Sequence, residues 1–325
     1  MTEQPPITFS RATGRLDDAS TKERLAAFLM QAGAKASALV ARRGFSIGCR
    51  VLSKALDQRD IVVLLGEDAL FAFPFGDGYW GLLFDRSFIY EPELEQFLRG
   101  IADVDYTFVD CGANFGYWSV LVTSRPFGSH SALAIEASRD NAAKLAKNAQ
   151  INGDRFKVLH RAIGAATGGQ ALLSGRNHSA FSIAGDAGGA DGERVDIMAL
   201  DSLLDEGHVA PDRRLVVKLD LEGVEIDAMK GGKRLLHGDV IVVCEEHGSD
   251  RNHTVSRYIL GETPHRLFMR DPQTTRFVPV TELSMLDRLK VAPSIGYNVF
   301  ASASPFWQDR IMSASPLAPE RARTA

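Results

Sequence analysis

Acidic side chains that follow apolar runs are the residues of this chain best placed to do chemistry, and the clearest is Asp110. In YTFVDCGANFGYWSVL, residues 106–121, Tyr106–Val109 reads as a buried strand closed by that carboxylate. The turn Gly112-Ala-Asn-Phe-Gly116 follows, and Phe115, Trp118, Ser119 and Leu121 then recur at helical spacing. A strand, a turn with little side chain and a helix N-terminus bring backbone N–H groups close to a ligand. The pattern is Asp-x-Gly-x-x-x-Gly, and the G-x-G-x-x-G of dinucleotide enzymes is missing. A nicotinamide oxidoreductase is therefore not expected. A carboxylate at the strand end suits a cationic ligand better than a pyrophosphate. S-adenosylmethionine, with an ammonium, a sulfonium and no phosphate, meets that requirement. A strand–turn–helix crossing without a ligand is the plain alternative.

Three further strand ends carry acids: Glu136, Asp220 and the pair Glu245-Glu246. Ligands of open α/β sheets bind outside the carboxyl ends of the strands. Unpaired carboxylates gathered there repel one another, so a cationic ligand, a metal or basic side chains must offset them. Glu136, at the second strand's end, is placed to accept hydrogen bonds from both hydroxyls of an adenosine ribose. Asn114 either donates and accepts in the turn or tolerates a left-handed backbone there. KLDLEGVE, residues 218–225, puts Lys218, Asp220, Glu222 and Glu225 around another strand end. Asp220 is expected to face the ligand, Glu222 to cap the next helix, and Glu225 to pair with Lys218 or Arg234 or to act in catalysis. His247 stands beside two acids, which raise a histidine's pKa and orient its ring. Its readings are general base, substrate hydrogen-bonder or fold contact. His178, in a polar loop, either contacts an acceptor or is surface only.

The elements that must hold these groups are legible from periodicity. From Tyr106 onward strands and helices alternate, which implies a parallel sheet covered by helices on both faces. Strands are expected at 106–109, 131–135, 156–159, 194–198, 215–219 and 240–244, with late strands at 265–269, 277–280 and 297–301. Ser138 is expected to cap a helix over 138–151, and Asp201 one starting near Leu200. Upstream, 21–58 is helical, and 61–65, 69–74 and 79–84 read as a small β meander. The basic, amphipathic end of the helical stretch, with Arg42, Arg43 and Arg50, either packs on the main domain or meets an anionic substrate or a membrane face. The expected organisation is a poorly ordered 1–20, an N-terminal helical and β-meander extension over 21–100, a catalytic domain over 101–310 and a tail over 311–325.

Composition narrows the class. The chain has 325 residues, 45% of them hydrophobic, and a formal net charge of −4. No basic tract interleaved with aromatics occurs, so nucleic acid is not an expected partner. Three cysteines without metal-ligand spacing point to neither a disulfide framework nor a zinc site. The polar N-terminus lacks a signal-peptide core, and no apolar run approaches the roughly 18 residues a membrane span needs. A cytoplasmic protein is expected, with peripheral membrane contact and oligomeric state left open.

Taken together, VDCGANFGYWS, Glu136, VDIMALDSLL, KLDLEGVE with Gly231, and VVCEEH resemble, in this order, the FkbM family of S-adenosylmethionine-dependent methyltransferases. The upstream YEPELEQFL looks like that family's approach to its first motif. The resemblance covers about residues 90–260. It implies a class I, Rossmann-like fold with a seven-stranded, mostly parallel sheet, and O-methylation of a sugar hydroxyl in a polysaccharide, glycolipid or natural-product pathway. By the same resemblance Asp110, Gly112, Asn114 and Gly116, with Ala113 beside them, would line the methionine end of the cofactor. Glu136, with Ala137, would hold the ribose, and Asp220, Glu222 and Glu225 would border cofactor and acceptor. The Gly-rich loop 164–192 matches nothing in the family. For the proton of the acceptor hydroxyl the candidates are Asp220 and His247, with Glu222 nearby. A Mg²⁺ ion held by Asp220 and Glu245 or Glu246 is the alternative. A polyketide or phenol acceptor, and a non-catalytic cofactor-binding protein, are the competing readings.

Overall fold

The computed structural model describes residues 5–38, 42, 44–56, 58–174, 182–184, 192–293 and 295–316. They fall into two compact units, one of the N-terminal residues through Tyr90 with Gln150–Gly153, the other of Glu91–Ala149 and the residues from Asp154 onward. His178, part of the loop 164–192 and Arg43 lie outside the described residues.

In the N-terminal unit, β1 (Ile7–Ser10) and β2 (Leu16–Asp17) precede helices α1 (Thr21–Ala38) and α2 (Phe45–Ser53) and strands β3 (Asp60–Leu64) and β4 (Leu70–Pro74). The sheet order is β2-β1-β3-β4, with β1 parallel to β3. Strand β1 thus lies in the stretch expected to lack order, and its Ile7 and Phe9 are buried. Helix α1 opens with a capping box: Glu23 N–H donates to Ser20 Oγ at 3.3 Å, and Ser20 N–H donates to Glu23 Oε2 at 2.7 Å. The third strand expected at 79–84 is instead a 3₁₀ helix, Trp80–Phe84. Asp77 Oδ1 accepts the N–H groups of Tyr79 and Trp80 at 2.8 and 2.7 Å, an Asx turn that curls the chain where a strand would have to extend.

The second unit runs α3 (Pro92–Gly100), β5 (Thr107–Cys111), α4 (Tyr117–Val122), β6 (Ser131–Glu136), α5 (Arg139–Ile151), β7 (Phe156–His160), β8 (Ala162–Gly164), β9 (Gln170–Ser174), β10 (Ser182–Ala184), β11 (Glu193–Ala199), α6 (Ser202–Asp205), β12 (Leu215–Leu219), α7 (Glu225–Lys230), α8 (Lys233–Leu236), β13 (Val240–His247), α9 (Thr254–Glu262), β14 (Arg266–Arg270), β15 (Phe277–Val280), α10 (Ser284–Leu289), β16 (Gly296–Ser302) and α11 (Pro305–Ser313). Its main sheet has the order β15-β14-β16-β13-β12-β5-β6-β7. Five strands, β13-β12-β5-β6-β7, are mutually parallel, and β16 runs antiparallel between β13 and β14. This is the expected Rossmann-like α/β arrangement with one strand more than seven. The addition is β15, which suits an edge because Pro279 has no N–H to donate. Its Phe277 is buried against Phe97 and Phe300. The small strands β8 to β11 form a separate sheet, β10-β9-β11-β8. Among the described residues no helix is long and apolar enough to cross a membrane.

Two capping expectations resolve differently. Ser138 does cap α5, its Oγ accepting the Asn141 N–H at 3.4 Å. Asp201 does not cap α6 through its side chain; its carboxylate accepts the N–H groups of Arg234 and Leu235 at 3.1 and 2.9 Å. It therefore caps α8, a helix that only tertiary packing brings beside it.

The topology reverses between β5 and β12: β6 and β7 extend the sheet on one side, β12 and β13 on the other. That switch point is where open α/β sheets leave a crevice at the strand ends. The close approach is made by Gly112, at φ +80°, where a Cβ would lie 1.9 Å from the carbonyl oxygen of Asp220. Gly112→Ala is expected to lower unfolding free energy by about 2–4 kcal/mol through overpacking and left-handed strain together. Urea denaturation followed by circular dichroism checks this; a loss within error would show that the turn can open without cost.

Candidate active site

Side chains alternate along a strand, so Val109 and Cys111 join the apolar core on one face while Asp110 lies on the other, in register with Lys218. Asp110 is thus inside β5 rather than beyond it. It is 2% exposed, and its Oδ2 accepts the Ser119 hydroxyl at 2.7 Å. Lys218, 3% exposed, donates to Asp220 Oδ2 at 2.7 Å and stands 3.8 Å from Glu91 Oε1. Glu91 accepts the indole N–H of Trp118 and, at 3.0 Å, the amide of Asn298, which also donates to Glu93 at 3.1 Å. Glu245 hydrogen-bonds Asp220.

One ammonium therefore serves four carboxylates, and protonation follows from that imbalance. Burial alone would push Lys218 down; Asp220, then Glu91 and Asp110, outweigh it and hold the ammonium charged. Against its own burial, Asp220 is kept below the usual carboxylate range by Lys218. Glu245 is pushed up to about 10 by burial and by the Asp220 charge, so it is the neutral acid that donates to Asp220. Burial also raises Glu91, to about 7, against the pull of Lys218, and raises Asp110.

The glycine turn is anchored from the neighbouring strand. Gly112 and Ala113 donate their N–H groups to the Ile135 carbonyl at 2.9 and 3.0 Å. Glu136 Oε2 accepts the Asn114 N–H at 2.7 Å, and Oε1 accepts the Ser138 N–H at 2.8 Å. These amides hold the turn in shape rather than being offered outward, which corrects the expectation of amides pointing at a ligand. Asn114 adopts φ +53°, and its Oδ1 accepts the Phe115 N–H at 2.8 Å, so both sequence readings of this residue apply. Gly116, at φ +87°, leads into α4. Glu136 is 6% exposed, and burial pushes it up to about 7 against the N–H groups of Ser138, Asn114 and Ala137. An ionised carboxylate is acceptor-only, the chemistry a vicinal diol requires. Ala137 is half-buried, its carbonyl 2.9 Å from His160 Nε2.

Around the end of β12 the roles shift. Glu222 has φ +53° and makes no side-chain cap to α7. Glu225, the first residue of α7, turns back on the preceding chain, its Oε1 accepting the N–H groups of Leu221 and Gly223 at 2.9 and 3.2 Å. Glu225 pairs with neither Lys218 nor Arg234; Arg234 binds Asp205 at 2.6 Å. His247, its side chain 62% exposed, has Nε2 3.9 Å from Glu222 Oε2.

The two adjacent acids of β13 part company. Glu246 lies on the opposite face, where it accepts from Lys290 at 3.2 Å and from Ser256 at 3.0 Å, with His253 3.3 Å from the same ammonium. Asp220 and Glu246 therefore cannot share an ion, and the position beside Asp220 is filled by Lys218. Among the described residues no group of three or more His, Cys, Asp and Glu could hold a metal. The donor set does not fit the Mg²⁺ alternative.

Sequence reading missed Glu91, Trp118 and Asn298 as site residues. Glu91 had a signal: it precedes Pro92 in the run noted as an approach to the first motif. Asn298, 207 positions from Glu91, had none.

Residues 110–269 match the family model for the methyltransferase FkbM domain. No curated protein matches the chain. Similar solved structures include an FkbM methyltransferase from Methylobacillus flagellatus KT, at 17% identity over 61% of this chain and 43% of that one, TM-score 0.39. Precorrin-6y C5,15-methyltransferase from Geobacter metallireducens GS-15 aligns at 11% identity over 65% of this chain and 87% of that one, TM-score 0.37. An rRNA methylase from Streptococcus thermophilus aligns at 10% over 66% and 98%, TM-score 0.37. The chain spans less than half the length of the first of these.

Removing the ammonium tests the charge balance. Lys218→Met is expected to destabilise the protein by about 3–5 kcal/mol at neutral pH, because buried carboxylates lose their counter-charge. Asp220, held low by Lys218, contributes stability above its unfolded pKa that is lost as pH falls through its folded pKa. The variant lacks that contribution, so the gap to the parent should shrink on acidification. Denaturant melts across pH measure it; a gap independent of pH would mean packing, not charge, sets the cost.

Proposed function

We propose, on the premise that residues 110–269 are a methyltransferase FkbM domain, that this chain is an S-adenosylmethionine-dependent O-methyltransferase for a sugar hydroxyl. The observation that carries the cofactor reading is the excess of carboxylate over ammonium at the switch point, which favours a ligand bearing positive charge. The sugar acceptor rests on the family resemblance. The catalytic domain is taken as 101–310, with 21–100 as its extension.

S-adenosylmethionine supplies an electrophilic methyl group on a sulfonium. The diol of its ribose would be held by Glu136, whose oxygens are oriented by Asn114 and Ser138. Gly112, Ala113, Asn114 and Gly116 would line the methionine end, with Ala137 beside the ribose. Asp110 and Asp220, fixed by Ser119 and Lys218, would face the cationic groups. Displacement at a methyl carbon depends on positioning the acceptor oxygen in line, which supplies about 7–11 kcal/mol of barrier lowering. Of the two base candidates we assign the proton to His247. Asp220, held ionised by Lys218, has little drive to accept a proton, and it orients the acceptor hydroxyl instead. His247 is exposed, and Glu222 would stabilise its imidazolium.

Transfer of labelled methyl to saccharide, polyketide and phenol acceptors tests the function. Turnover of saccharides supports the assignment; activity on phenols alone rejects it, and cofactor binding without turnover of any acceptor leaves only a binding protein. His247→Gln should lower kcat by about 10²–10⁴-fold with cofactor affinity intact; unchanged kcat removes the histidine from the mechanism. Affinity for S-adenosylhomocysteine should rise between about pH 6 and 8, because the diol needs the ionised form of Glu136, which is pushed up to about 7. In Glu136→Gln, calorimetric titration should find weak binding without that pH dependence; a dependence that survives points to another group.

A further inference from the structure

Helix α1 is built inside out. Its buried face is Glu23, Ala26, Ala27, Met30, Ala34 and Ser37, mostly small residues, while Leu25, Phe28 and Leu29 are 60%, 64% and 44% exposed. These three lie on one helical face with exposed Ala32 and Ala36. On α2, Ile47 and Val51 are likewise 58% and 64% exposed. Large apolar side chains clustered on an exposed helix face, rather than scattered singly, point to an interaction site.

Charge says which partner. Between residues 21 and 56 the sequence has seven cationic residues and a single acid, in a chain whose net charge is −4. That acid, Glu23, is buried and paired with Arg59 at 3.4 Å. The exposed charges of the two helices are Lys22, Arg24 and Lys35 on α1 and Arg50 on α2, with Lys54 at its end, all positive. Cations flanking exposed Leu, Phe, Ile and Val is the composition of a helix that lies in the headgroup region of a bilayer. A second copy of the chain is disfavoured as occupant, because a two-fold contact would set this cationic face against itself. We propose that α1 and α2 form a peripheral membrane-binding surface selective for anionic lipid. Apolar side chains enter the acyl boundary, and the lysines and arginines neutralise headgroups. The surface belongs to the N-terminal unit and is independent of the reaction catalysed.

The test is co-sedimentation of the full-length protein with vesicles of phosphatidylcholine alone and of phosphatidylcholine and phosphatidylglycerol in equal parts. Binding to the mixed vesicles only, released by high salt, is expected. Phe28→Ser with Leu29→Ser, and separately Arg50→Glu with Lys54→Glu, should each weaken partitioning about tenfold or more. All four side chains are exposed, so both variants should keep the parent's circular dichroism spectrum. The second pair decides the matter if the first fails to fold. No binding, equal binding to both vesicles, or binding unchanged in the variants overturns the proposal. So does a concentration-dependent dimer that Phe28→Ser with Leu29→Ser dissolves, which would assign the face to a second copy.

Discussion

One buried ammonium holds the site together. Lys218 is the cation on which Glu91, Asp110 and Asp220 converge, and Glu245 is tied in through Asp220. Taking a lysine out of water costs several kcal/mol unless hydrogen bonds and opposite charge replace its hydration. The carboxylates do so in excess, and burial offsets the excess by favouring protonation: it raises Glu245 to about 10 and Glu91 to about 7. Protons thus occupy places that a cationic ligand could take, which ties the electrostatics of the resting protein to the kind of molecule it can bind.

That arrangement needs the sheet. Lys218 and Asp110 meet because β12 and β5 are parallel neighbours in register, and Asp220 meets Gly112 because the topology reverses between those strands. A side chain at position 112 would keep them apart. The turn 112–116 gives up its own amides to Ile135 and Glu136, and this ties the first strand end to the second. Glu136, which we propose holds the ribose, is therefore also a structural brace, with its oxygens already oriented by the backbone it supports. Preorganisation of this kind lowers the cost of ligand binding.

The opposite face of the sheet carries a second buried ion pair, Lys290 with Glu246, tied to His253 and Ser256. Two lysines thus serve two acid clusters on the two sides of one sheet, and β13 contributes an acid to each. In helices α1 and α2 charge is distributed differently, with the one acid, Glu23, buried and Lys22, Arg24, Lys35 and Arg50 exposed.

The sequence by itself determined what is local and periodic. The parallel strands, the glycine turn, the Ser138 cap and the acids at strand ends follow from hydropathy period, glycine spacing and short-range capping, all of which act within a few residues. It also carried the FkbM motif order, which the match over residues 110–269 bears out. Tertiary structure decided which of the acids meet. Period-two alternation says that Glu245 and Glu246 face opposite ways, but the choice of face depends on which helices cover it. Glu91 and Asn298 join the site from far along the chain, Asp201 caps a helix other than the one its sequence position named, and Glu225 braces the turn before α7 rather than pairing with a cation. The 3₁₀ turn at Trp80–Phe84 prevailed over an apolar run because Asp77 captured two amides. Charge balance, and with it protonation, is a sum over neighbours that only folding brings together, so no local pattern in the sequence could express it.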